Sequence, residues 1–148
     1  MKFKFNLSVT MVLSLITVMA QAQIKPPTRL AIVVNVNNPT TTMSAEEIGD
    51  LYLHRATHFP NAKEATLIDQ PVNSVTYENF YREITHKTPG QIQGYWSRLV
   101  FTGKGRPPKQ VAGNAEVKKM VSGNQGNLGY VEETALDKTV KPVLLLNK

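Results

Sequence analysis

Cysteine is absent from the 148 residues. That excludes disulfides, thiolate metal sites and a lipid-modified cysteine at a cleavage site. A domain made from this chain must therefore be held by its own apolar core. Past the first 22 residues no apolar run is long enough to span a bilayer. Internal repeats and low-complexity tracts are also missing. So are the phosphate loop Gly-x-x-x-x-Gly-Lys-Ser/Thr and the nucleophile elbow Gly-x-Ser-x-Gly.

What is present begins with an export signal. Lys2 and Lys4 form a positive start, Leu7–Met19 is mostly apolar, and Ala20-Gln21-Ala22 fits a small-x-small cleavage pattern. The reading is a signal peptide over residues 1–22, cleaved before Gln23; the alternative is an uncleaved N-terminal anchor. Residues 23–148 are then one domain, long enough to bury a core. Net charge is +6 for the whole chain and +4 without Lys2 and Lys4. This mild, mixed basicity suits anionic ligands or surfaces and lacks the concentrated charge of a nucleic-acid binder.

Periodicity gives the organisation. Leu30–Val36 is a near-continuous β-branched run, read as a strand buried on both faces and broken at Asn37-Asn38-Pro39. Ser44 and Glu47 form a capping box that opens a helix with Ile48, Leu51 and Tyr52 on one face. His54–Lys63 reads as a loop and Ala65–Asp69 as a strand. Tyr77, Phe80, Tyr81 and Ile84 share one stripe of a second helix. Thr88-Pro89-Gly90-Gln91 caps a third, with Ile92, Tyr95, Trp96, Leu99 and Val100 at helical spacing. Thr102–Lys109 reads as a loop, and residues 114–122 as a fourth helix stopped by Gly123. Leu128–Val131 and Val143–Leu146 read as strands. Strands alternating with helices predict a three-layer α/β domain with a small, mixed or mostly parallel sheet and about four helices.

The turn Gln70-Pro71-Val72-Asn73-Ser74-Val75-Thr76 lies between a predicted strand and a helix start. Free backbone N–H groups and the positive end of a helix dipole meet there, which is the layout of an anion cradle. Asn73, Ser74, Val75 and Thr76 are the candidate ligand-binding residues; an ordinary cap by Asn73, Ser74 or Thr76 is the alternative. Lys104 and Arg106, with Lys109, are a candidate basic rim against a plain solvated loop. His54, His58 and His86 lack the third ligand that a zinc site needs, so no metal is expected. Trp96 and Phe101 read as core. The acid pairs Glu46/Glu47 and Glu132/Glu133 look solvated, so no catalytic residues are assigned and the chain does not read as an enzyme.

A strand ending in Asn35-Val36-Asn37-Asn38-Pro39 is followed by a helix of the Ser-x-Glu-Glu-Ile type. A Ser74-containing turn, a Phe80-Tyr81 helix, the stretch Tyr95–Pro108 and Leu128-Gly129-Tyr130-Val131 complete the order. Over about Leu30 to Val131 this resembles the phosphate-binding proteins of phosphate ABC transporters, in the type 2 periplasmic-binding-protein-like superfamily, and more closely their short, single-lobe relatives. The resemblance implies a single α/β lobe in the periplasm that binds phosphate or a similar oxyanion without a cofactor. It maps the family's Ser-Gly-Thr turn onto Ser74, Val75 and Thr76. It also exposes departures, with valine in the glycine position and Asp69 and Gln70 where an arginine is expected. A single lobe leaves open a second role, as an interaction module for an envelope protein or a second copy. Nucleic acid is not an expected partner.

Overall fold

A computed structural model describes residues 28–147. The expected signal segment, its cleavage site and the lead up to Pro27 lie outside the described residues. Leu30–Asn35 forms strand β1, and all six of its residues are buried, as the unbroken apolar run requires. Its side chains divide by alternation. Leu30, Ile32 and Val34 enter one core, while Ala31 and Val33 enter another on the opposite face.

The remaining elements follow in order: α1 (Ala45–Tyr52), β2 (Thr66–Asp69), α2 (Val75–Thr85), α3 (Pro89–Phe101), β3 (Lys109–Gln110), α4 (Asn114–Gly123), β4 (Asn127–Glu132) and β5 (Val140–Leu146). A 3-10 turn, Glu133–Ala135, links the last two strands. The sheet order is β3-β2-β4-β1-β5. β1 runs antiparallel to β4 and β5, while β2 runs parallel to β3 and β4, so the sheet is mixed. The larger core packs residues of α1, α2 and α3 on one face, and α4 covers the other with Val117 and Val121. This is the predicted three-layer α/β architecture.

The helix starts are where the sequence puts them. Ser44–Glu47 and Thr88–Gln91 are both complete capping boxes. The Asn-x-Asn-Asn-Pro signature is structural. Asn35 Nδ2 donates to the carbonyls of Val121 and Ser122 at 3.1 and 2.7 Å, satisfying the end of α4. Asn38 donates to the Gln125 carbonyl at 2.7 Å and accepts from Thr40 N–H at 2.8 Å. Gly129 is where α4 lies closest to the sheet; a Cβ there would sit 2.6 Å from Val117 Cγ1.

Two expectations need correcting. Phe101, expected in the core, is 92 % exposed, and Val100 is 52 % exposed. The apolar stripe of α3 is buried at Ile92 and Trp96. Tyr95 and Leu99 are half-buried against the larger core, and Phe101 comes nine residues after Ile92, about 180° round the helix from the buried face. The loop read over Thr102–Lys109 also stops one residue sooner. Lys109 and Gln110 pair in parallel with Ile68 and Asp69. Both residues are polar and exposed, so this edge strand rests on backbone hydrogen bonds that leave no apolar signature.

Candidate functional site

The turn before α2 is built as a helix cap. Ser74 is extended (φ −86°, ψ 146°) and its Oγ accepts from Tyr77 N–H at 3.1 Å. Ser74 N–H is spent on the Pro71 carbonyl at 2.8 Å. Val75 and Thr76 occupy the first two helical positions, whose N–H groups have no intrahelical acceptor. The Ser74 hydroxyl can accept from Tyr77 N–H and still donate its own proton outward. The cap therefore uses up the Ser74 N–H and leaves that O–H and two backbone donors at the helix end. Asn73 and Val75 are exposed beside them.

No base stands in this turn. Arg82 is drawn along α2 to Glu78 by a 2.5 Å ion pair. Lys104 and Arg106 line a separate hollow with Val100, Gly103 and Gly105. That loop leaves α3 at Gly103, whose φ of +68° favours glycine. None of Asn73–Thr76 lines the hollow that Lys104 and Arg106 border.

Immediately before the turn lies a buried carboxylate. Asp69, at the end of β2, is 2 % exposed. Its Oδ2 accepts from Tyr81 O–H at 2.7 Å, and its Oδ1 accepts from Gln70 N–H at 2.9 Å and from Tyr130 O–H. Tyr52 O–H donates to the neighbouring Ile68 carbonyl at 2.8 Å. Phe80 stacks on Tyr130 at 3.8 Å, and Tyr52 meets both rings edge-on. Burial raises the Asp69 carboxyl to about 6, against the pull of its three donors. Burial, with the Asp69 charge behind it, likewise raises Tyr52, Tyr77, Tyr81 and Tyr130 above the ordinary phenol range. Among the described residues no cation pairs with Asp69; its carboxylate is held by neutral donors.

Asp69 also borders a hollow of about 600 Å³. Its walls are Val72, Trp96, Val100, Phe101 and Pro107, with Tyr77, Gln93, Ser97 and Gln110 supplying polar atoms. The indole Nε1–H of Trp96 is buried without an acceptor among the described residues. Val72 and Tyr77 bracket the Ser74 turn, yet none of Asn73–Thr76 lines the hollow. This cavity was not foreseen from the sequence. Its only advance sign was an aspartate closing an apolar run ahead of an aromatic helix stripe.

His54 and His58 lie in the loop after α1 rather than on a helix, and His86 is the left-handed C-cap of α2. Among the described residues no three His, Asp or Glu side chains are grouped to hold a metal ion. No helix there is long and apolar enough to cross a membrane.

The sequence matches no protein-family profile and no curated protein. The fold does match solved structures. One, assigned as a phosphate ABC transporter substrate-binding protein from Clostridium perfringens with bound phosphate, aligns at TM-score 0.64 and 18 % identity. The alignment takes in 78 % of this chain and 44 % of that one. An ABC-type phosphate transport receptor from Vibrio cholerae gives 0.63 and 21 %, over 78 % and 45 % of the two chains. PstS from Borrelia burgdorferi gives 0.59 and 13 %, over 81 % and 47 %. The fold is thus the predicted lobe of the type 2 periplasmic-binding-protein-like class, and the chain spans less than half the length of the structures it matches.

Proposed function

We propose that the chain is an exported, solute-binding-like protein that recognises phosphate or another small oxyanion in the periplasm, as an accessory to phosphate ABC transport. The observation that carries this reading is the fold likeness to a substrate-binding protein holding phosphate. The donors left at the start of α2 suit it: the Ser74 hydroxyl, the Thr76 hydroxyl and the N–H groups of Val75 and Thr76, aided by the helix dipole. Export rests on the signal read over residues 1–22. The role is binding without chemistry.

The reading implies weak binding. No arginine or lysine completes the turn, and the chain covers less than half of each matched structure, so at most part of a site is supplied. Titration calorimetry with phosphate should give a dissociation constant of about 1 mM, or roughly −4 kcal/mol. Ser74→Ala should abolish that heat and cost about 1 kcal/mol of stability through the lost cap. Absence of both heat and thermal shift with phosphate and sulfate, at concentrations well above this, overturns the reading.

A second reading has its own observation. Phe101, Val100 and Val75 are 92, 52 and 72 % exposed, and such exposed apolar side chains invite cover by an envelope protein or a second copy. Crosslinking in the intact envelope should then trap one dominant partner, lost with Phe101→Ser. Recovery of monomer only would sink it.

A further inference from the structure

The 600 Å³ hollow between α2, α3 and β3 is in the size range of small-molecule sites and has an unusual balance of charge and surface. Asp69 is its one lining residue charged at neutral pH; no lysine, arginine or histidine borders it. An oxyanion entering there meets an uncompensated carboxylate, while a cation is attracted by it. Three aromatic side chains, Tyr77, Trp96 and Phe101, stand around the same space, and ring faces favour cations. The side chains of Gln93, Ser97 and Gln110 and the Tyr77 hydroxyl also line it, without side-chain hydrogen bonds among the described residues. These polar groups can orient a ligand at no cost to the fold.

We infer that this hollow binds a small organic cation, a protonated or quaternary amine carried on an apolar body. The inference is independent of the oxyanion reading. None of Asn73–Thr76, Lys104 and Arg106 lines the cavity, and the ligand has the opposite charge. Asp69 is mostly ionised at pH 8, since burial lifts it only to about 6.

Trp96 is the sole tryptophan, so its fluorescence reports occupancy directly. Phenethylamine, 2-phenylethanol and 3-phenylpropionate share a body and differ in the charge of the head. At pH 8 phenethylamine should shift the emission and saturate about tenfold more tightly than the alcohol, with no response to the carboxylate. Ser97→Phe, a change at an exposed position on the rim, should abolish the response and leave the melting temperature unchanged. Asp69→Asn should bring amine and alcohol to equal affinity. Equal binding of all three compounds, tighter binding of the carboxylate, or no shift with any of them up to about 20 mM overturns the inference. Calorimetry with phosphate on the same Ser97→Phe protein separates the two readings. Loss of phosphate heat in the parent leaves the amine result standing, and the reverse also holds.

Discussion

Asp69→Ala is expected to destabilise the protein by about 3 kcal/mol or more, since each buried donor left without an acceptor costs about 1–3 kcal/mol. Tyr81 O–H and Tyr130 O–H lose their acceptor together, and Gln70 N–H is left with only its 3.3 Å bond to the Tyr130 hydroxyl oxygen. Asp69→Asn should behave differently, because its carbonyl oxygen still serves Tyr130 and Gln70. The comparison with pH isolates the charge. The folded carboxyl titrates near 6 against an ordinary value of 3.8, so the folded state holds its proton more tightly than the unfolded chain does. The contribution of this group to stability is therefore greatest below about pH 4 and falls as pH rises to about 6, by roughly 3 kcal/mol in all. Urea denaturation from pH 4 to pH 7 should show the parent losing that much relative to Asp69→Asn. Parallel stability curves for the two would mean that the carboxyl is not held as described.

Gly129→Ala should cost about 3 kcal/mol, at the upper end of what overpacking a core does. The added Cβ would lie 2.6 Å from Val117 Cγ1 and 3.2 Å from Val121 Cγ2, both on α4 and both fully buried. Helix and sheet must separate to admit it, which loosens the smaller core on that face. Val117→Ala removes the nearest obstacle. The double substitution should therefore be more stable than the sum of the two single losses predicts, by about 1 kcal/mol or more. Simple additivity in thermal or chemical unfolding would show that α4 does not rest on this glycine.

Most of the architecture was legible because it depends on local rules. The β-branched run at Leu30–Val36, two capping boxes and three helical stripes mark their own elements, and each lies within a residue or two of its expected place. The departures come where burial depends on distant elements. Val100 continues the helical stripe of α3 and is still half exposed, while Phe101 comes nine residues after Ile92, about 180° round the helix, and is exposed on the far side. Lys109 and Gln110 are unremarkable polar residues that become a strand only because β2 offers them an edge.

The candidate site divides in the same way. By itself the sequence determined that a hydroxyl-bearing turn starts α2 and that no base stands in it, because both are facts of neighbouring residues. Only the tertiary structure decided that Ser74 spends its N–H on Pro71, and that Lys104 and Arg106 line a hollow of their own. It alone brought Tyr81 and Tyr130, 12 and 61 positions along the chain, onto Asp69. It also set Trp96 and Phe101 around a cavity that the carboxylate borders. Caps and stripes are written within a few residues. The polarity of a cavity depends on which distant side chains the sheet and helices carry to one place.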